Sequence, residues 1–335
     1  MADITASWTK VATAEQLQRS SHNVSAIGGS LFVFGGELKP REPRDNDLHK
    51  VDLEGRDATK PVQSIQGNAS SPAPRVGAAT AKIGHVMYMF SGRGGPEMTP
   101  VDEHGALWSL DTTSNEWKLL KPTSAVKPEA RSFHALTSDD KDTIYLHAGC
   151  PEKGRLADLW SFNLSTSSWK QLATAPGPSR GGASIAFADG KLYRMNGFDG
   201  EKEQGGALDV YSPESNSWET TVFPADGKTG PGARSVAALV PVSIQGSTSL
   251  VTLFGESDPS SLGHQGAGKM LSDIWAYSIG TGRWSPVLTQ DEALPNARGW
   301  FDADVVSING KDRIAVAGGL GESNERLNDL WVLSF

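Results

Sequence analysis

Residues 131–172 read RSFHALTSDDKDTIYLHAGCPEKGRLADLWSFNLSTSSWKQL. Arg131 opens an apolar segment, IYLHAG (144–149) is a hydrophobic run ending in a glycine turn, Asp158-Leu159-Trp160 marks a third segment, and Trp169 follows a polar Ser/Thr turn. Short runs rich in β-branched and aromatic residues, bounded by turn formers, read as strands rather than helices. The stretch therefore predicts a four-stranded antiparallel unit with a tryptophan on its third and fourth strands.

The same order recurs along the chain. Arginines open segments at Arg19, Arg75, Arg131, Arg180, Arg234 and Arg298, at intervals of 49 to 64 residues. A period near 50 with insertions in the loops is that of kelch blades. The second-strand runs are LFVFGG (31–36), VMYMFSG (86–92), IYLHAG (144–149), KLYRMNG (191–197), VTLFG (251–255) and IAVAGG (314–319). The third-strand signal appears as Asp47-Leu48-His49, Ala106-Leu107-Trp108, Asp158-Leu159-Trp160, Ala207-Leu208-Asp209, Asp273-Ile274-Trp275 and Asp329-Leu330-Trp331. Fourth strands carry Trp117, Trp169, Trp218 and Trp284, and the first repeat lacks this tryptophan. The sixth repeat stops at Phe335 without a fourth strand, and Ser7-Trp8-Thr9-Lys10-Val11 has the pattern of one. The expected architecture is all-β: one six-bladed kelch β-propeller over residues 1–335, with residues 7–12 completing the last blade.

Composition agrees with many short strands and excludes several functions. Among 335 residues there are 37 glycines and 10 tryptophans, a surplus of turn formers and aromatics. A net charge of −8 argues against binding a phosphate backbone. No apolar stretch is long enough for a membrane span, and MADITASWTK lacks the basic and apolar regions of a secretory signal, so the expected location is the cytoplasm. The lone cysteine, Cys150, excludes an internal disulfide and a multi-thiolate metal site.

In a propeller, the turn between second and third strands shares a face with the link between blades. The opening arginines and the residues after the glycine turns are therefore expected to crowd one rim. The post-turn residues are Glu37, Arg93, Cys150, Phe198, Glu256 and Leu320, and the charged ones begin the long loops 37–46, 93–105 and 256–272. Long loops in a compact fold are often functional. A repeated arginine can tie blade backbones together, pair with a loop carboxylate or hold an anion. Glu256, Asp258 and His264 fall within nine residues of one loop. They offer carboxylate and imidazole donors of the kind an open iron(II) site accepts, although Asp, Ser and Gly are also ordinary turn residues.

Beyond the repeat, the chain resembles the plant specifier proteins: the epithiospecifier, nitrile-specifier and thiocyanate-forming proteins. The matching segments are FGGELKPREPRDNDLHKVDL (34–53), SLDTTSNEWKLLKP (109–122), ARSFHAL (130–136), SRGGASIAFADGKLYRMNGFDG (179–200), the GE…GHQGAG loop (255–268) and ARGW (297–300). The resemblance implies an iron(II)-assisted lyase or rearrangement enzyme of glucosinolate catabolism. Such an enzyme acts on a small anionic thiohydroximate-O-sulfate that a protein partner upstream releases. It implies that Arg93 and Arg180 hold the sulfate and that Glu37, Phe133 and Trp300 line the pocket. Glu256 and His264 match two of three iron ligands; at the family's midpoint aspartate this chain has Ser260, and Asp258 is the nearest carboxylate. Two other classes fit the repeat: a metal-independent enzyme or binder of natural products using the same rim, and a protein-interaction scaffold.

Overall fold

The computed structural model describes residues 4–54 and 61–335, without the side chain of His264. The architecture is all-β and propeller-like; the only helical segments among the described residues are the short 3-10 turns Glu15–Leu17 and Gly263–Gln265. Residues 131–172 fold as read, with strands Ala135–Ser138, Thr143–Gly149, Leu156–Asn163 and Ser168–Leu172 antiparallel in chain order. Trp169 faces Phe162 across the last pair. The opening turn is held by Asp139, whose Oδ1 accepts the amides of Lys141, Asp142 and Thr143, an Asx-type turn that reverses the chain without a glycine.

The middle strands are apolar on both faces because each sheet packs between two neighbours. Ile144, Leu146, Trp160, Phe162 and Trp169 share one buried cluster with Ala79, Phe90 and Leu107 of the preceding repeat. Trp169 also donates its indole N–H to the Gly105 carbonyl of that repeat at 2.7 Å. Trp218 likewise donates to the Ala173 carbonyl, so these two fourth-strand tryptophans pin the gap between sheets, whereas the Trp284 indole N–H is buried without a partner.

The opening arginines have a structural explanation. Each donates Nη1 to the carbonyl of a residue near the glycine turn of its own repeat, at 2.6 to 3.1 Å: Gly35, Ser91, Ala148, Asn196, Phe254 and Gly318. Five also grip a carboxylate: Arg19–Asp45, Arg75–Glu103, Arg131–Asp158, Arg234–Asp273 and Arg298–Asp329. The Asp-x-Trp signal is the other half of this contact, since Trp160, Trp275 and Trp331 donate their indole N–H to that same aspartate. In the first repeat the partner is Asp45 rather than the Asp47 of the motif, and His49 takes the tryptophan's place against Arg19. The arginines expected at the rim are therefore buried behind it.

Two residues after each opening arginine the backbone turns left-handed, at Ser21, Gly77, Phe133, Gly182, Val236 and Trp300, with φ between 46° and 61°. These six residues form a closed cycle of amide-to-carbonyl hydrogen bonds. Ser21 donates to Trp300, Gly77 to Ser21, Phe133 to Gly77, Gly182 to Phe133, Val236 to Gly182 and Trp300 to Val236, at 2.6 to 3.2 Å. A positive φ is costly for bulky residues, and here the cycle over-determines it.

Besides four separate sheets built on four-strand repeats, one eight-stranded sheet runs Ala238–Ile244, Ser247–Leu253, Ile274–Ser278, Arg283–Thr289, Ile4–Thr13, Asp329–Ser334, Lys311–Ala317, Asp302–Ile308. Its N-terminal strand pairs in parallel with Val287–Thr289 through Ile4–Ala6, then antiparallel with Asp329–Ser334 through Ser7–Thr13. Trp8 stacks on Phe254 and meets Trp331 edge-on. The expected long loops are folded into small ribbons, Arg93–Gly94 with Thr99–Pro100 and Glu256–Ser257 with Lys269–Met270.

Candidate functional site

Five of the six post-turn residues, Glu37, Arg93, Cys150, Phe198 and Glu256, line one cavity of about 420 Å³; Leu320 does not. Phe133 and Trp300 form part of its wall, their rings perpendicular at 5.2 Å between centroids. Both side chains also line a second cavity of about 580 Å³, bounded by the first strands of the repeats. Ser21, Gly182 and Val236 line both cavities as well, so the boundary between the two spaces is the cycle of left-handed residues, of which Phe133 and Trp300 are the aromatic members. In the second space Lys82 Nζ bonds Asp304 at 2.7 Å and the carbonyls of Ala26 and Val305.

Arg93 sits in the middle of a three-stranded ribbon, between Val76 and Pro100. Its guanidinium is aimed by neutral acceptors: Nε donates to Ser132 Oγ at 3.1 Å, Nη1 to the Met98 carbonyl and Nη2 to the Pro151 carbonyl. Among the described residues it makes no ion pair, and burial lowers its pKa. Arg155, from the turn before Leu156–Asn163, lines the same cavity with its guanidinium 4.9 Å from the centroid of Phe198. Its Nε is buried without a hydrogen-bond partner, and among the described residues the side chain makes no ion pair. Cys150 shares this wall, and burial pushes its thiol up.

The carboxylates are differently placed. Glu37 pairs with Arg326 at 2.9 Å and accepts the Arg41 amide, so its charge is answered locally. Glu203 and Glu256 come from the fourth and fifth repeats. Burial raises Glu203 to about 7, helped by the charges of Glu256 and Asp258, and its Oε1 has no partner. Glu256 accepts the Gly268 amide on Oε1 at 2.7 Å and the Trp300 indole N–H on Oε2 at 3.2 Å, and burial raises its pKa.

Several expected residues are brought together here: Arg93, Glu37, Phe133, Trp300 and Glu256. Arg180 is not among the lining residues, because its Nε and Nη1 are turned back onto the Pro178 and Asn196 carbonyls. The guanidinium groups lining the cavity beside Arg93 are instead those of Arg155 and of the exposed Arg41. Asp258 is exposed and does not line the cavity, and the side chain of His264 lies outside the described residues. Both oxygens of Glu256 already accept hydrogen bonds, and among the described residues, which leave out the His264 side chain, no three His, Cys, Asp or Glu side chains cluster. Arg155 and Glu203 are not marked in the sequence because neither directly follows the glycine that ends a second-strand run, Arg155 coming after Gly154 inside the next turn, and neither lies in one of the three long loops.

An all-β ring of four-stranded sheets with an arginine-to-carboxylate lock in most repeats defines a kelch-repeat protein, and residues 21–255 match the KLHDC2/KLHL20/DRC7 Kelch-repeats domain. The chain belongs to that family, on the branch of the plant specifier-type proteins: it is 30% identical to N-(sulfonatooxy)prop-2-enimidothioate sulfolyase of Thlaspi arvense, over 93% of this chain and 91% of that one. It is 29% identical to Tip elongation aberrant protein 1 of Schizosaccharomyces pombe over 59% of this chain, which is 18% of that protein's length. The fold is also that of the structure titled "Structure of YjhT", with a TM-score of 0.69, 16% identity and coverage of 93% and 94% of the two chains. No described helix is long and apolar enough to cross a membrane.

Proposed function

We propose that this protein is a lyase or rearrangement enzyme that takes a small sulfated anion, thiohydroximate-like in character, into the cavity bounded by Arg93, Arg155, Phe133 and Trp300. The observation that carries the reading is a set of guanidinium groups, Arg93 and Arg155 with the exposed Arg41, lining one cavity with no ion-pair partner among the described residues, Glu152 acting on Arg93 only from further away. Every described opening arginine but one is neutralised by an acid; the cavity arginines are left for a ligand. A guanidinium offers paired donors to a sulfate oxygen edge. As the N–O bond of such a substrate breaks, its electron pair leaves on the sulfate, and cations already aimed there stabilise the growing charge without reorganising. Phe133, Trp300 and Phe198 would exclude water and fix the organic part of the substrate. The likeness to a sulfolyase along nearly the whole chain supports the same reading.

The architectural side of the proposal is a ring of six blades, residues 1–335, closed by the N-terminal strand. The hydrogen-bonded cycle of six left-handed residues and the register of Ser7–Thr13 against Asp329–Ser334 support it. Iron(II) assistance through Glu256 and His264 belongs to the same hypothesis only as a measured addition, and no step above depends on it.

The test is product analysis. The protein is added while a thioglucosidase releases thiohydroximate-O-sulfate from its glucosinolate, with and without iron(II) or chelator. Nitrile or thiocyanate formed at the expense of isothiocyanate is the expected outcome, lost in Arg93→Ala and Arg155→Ala. An unchanged product spectrum with folded protein would overturn the reading and favour a binding or scaffold role.

A further inference from the structure

The repeats provide an internal control for one another, and the fourth departs from it. Where Arg131, Arg234 and Arg298 meet Asp158, Asp273 and Asp329, the matching position of the fourth repeat, which Arg180 opens, is Ala207. The second repeat also has an alanine there, Ala106, but Glu103 three residues earlier reaches Arg75 and the indole of Trp108 instead. The matching residue in the fourth repeat is Gln204, uncharged and turned to Asp199. Asp209, at the tryptophan position, is engaged by Arg194 and Thr220. Arg180 is 6% exposed, uses Nε and Nη1 on carbonyls and has no partner on Nη2. Among the described residues Arg180 thus has no carboxylate within ion-pair distance; Asp209, held by Arg194, and Asp199 act on it only from further away.

There is room at the unused edge. A Cβ at Gly177 would, apart from its chain neighbours, meet only Arg180 Nη2, at 3.2 Å; Gly177 and Pro178 are exposed, so this space opens to solvent. A buried guanidinium without a counter-charge is costly, and the cost falls when an anion fills the gap.

We infer that the vacated carboxylate position beside Arg180 is a binding site for a small monoanion, a chloride ion or a small carboxylate such as formate. This site is separate from the cavity that Arg93 and Arg155 line, and its ligand stands in for the aspartate of the other repeats. Anion binding to the folded state raises stability by mass action.

The experiment is thermal unfolding of the full chain in rising chloride or formate, with ionic strength held constant by gluconate, which is too large to enter. A midpoint rise of about 2 °C or more is expected for the wild type. Chloride and formate are read in separate arms, and a rise with either supports the site. Ala207→Asp, or Gln204→Glu in the manner of the second repeat, supplies the charge within the chain and should make unfolding insensitive to both anions. Arg180→Gln should lose the dependence without replacing it. An anion-insensitive wild type, or an unchanged response in whichever of these variants folds, would overturn the inference. Product formation in the cavity is read separately, so failure there leaves this result standing.

Discussion

Arg131 and Arg155 lie in the same repeat, and their surroundings assign them opposite work. Arg131 is buried, with Nε on the Glu129 carbonyl, Nη1 on the Ala148 carbonyl and both terminal nitrogens on Asp158. Arg155 is half-buried at the cavity, with Phe198 beneath its guanidinium and no acid against it. The residue type is the same, and the carboxylate is what differs. An arginine whose every donor is spent inside the fold holds repeats together, whereas one aimed by neutral groups retains charge for a ligand. Arg93 follows Arg155 in this respect, and Arg180 is intermediate: placed like Arg131 but without its acid.

The largest effect should come from removing the N-terminal strand that pairs with Asp329–Ser334. Removing residues 1–12 takes away most of the strand paired with Asp329–Ser334 and strips Trp8 from Phe254 and Trp331. An unpaired edge and bare apolar surface result, and loss of a cooperative unfolding transition is expected. A truncated chain that melts like the intact one would refute closure by this strand.

Arg131→Ala comes next. It strands Asp158 in a half-buried site, still bonded to Trp160 but without its cation, and breaking such a pair costs roughly 3–5 kcal/mol. Denaturant unfolding should read that loss, and a loss under about 1 kcal/mol would place Arg131 with the surface pairs.

Arg93→Ala and Arg155→Ala are the contrasting arm. Charge-assisted contacts to an anion are worth roughly 1.5–3 kcal/mol each, so each variant should weaken sulfate binding by about 10- to 100-fold, read by calorimetry. Their unfolding midpoints should move far less than that of Arg131→Ala. If stability falls as much as binding, the division between the two kinds of arginine is wrong.

How much of this could be read from the sequence follows the same division. The repeat is legible because Arg131, Gly149, Asp158, Trp160 and Trp169 make local, recurring contacts that every repeat needs. The cavity is legible at Glu37, Arg93, Phe133, Trp300 and Glu256, which stand at fixed points of the repeat or of the family likeness. Arg155 is not, because its position in a turn of ordinary length gives no pattern, and only the three-dimensional turn brings it beside Arg93. Arg180 misled for the complementary reason. Its motif matches the other opening arginines, and whether such an arginine faces a ligand depends on a carboxylate up to 39 residues away, as Asp273 is from Arg234. The ring of left-handed residues likewise could not be foreseen, since Ser21, Phe133, Val236 and Trp300 share no side-chain chemistry that calls for a positive φ.

The smallest effect separates a different pair of charges, those on the inner strands. Asp302 accepts the Val24 amide at 2.7 Å and that of Ala303, stitching the sixth repeat to the first, as Asp304 does through Ala26. Asp304 is answered by Lys82. Asp302 has no cation, and burial, with a lesser push from Asp304, raises it from the usual carboxylate range to about 7. Because the folded state holds this proton more tightly than the unfolded chain, the stability that protonated Asp302 contributes is full below about pH 4 and is lost as pH rises to about 7, with no further change above. Asn cannot titrate, so stability of Asp302→Asn relative to wild type should rise across that window by about 1–2 kcal/mol, discounted from the full shift because the inner cavity admits water. Unfolding free energies at pH 4.5 and 8 measure it. Parallel wild-type and variant profiles would mean that Asp302 is ionised throughout, and that the two amides it accepts suffice to hold its charge.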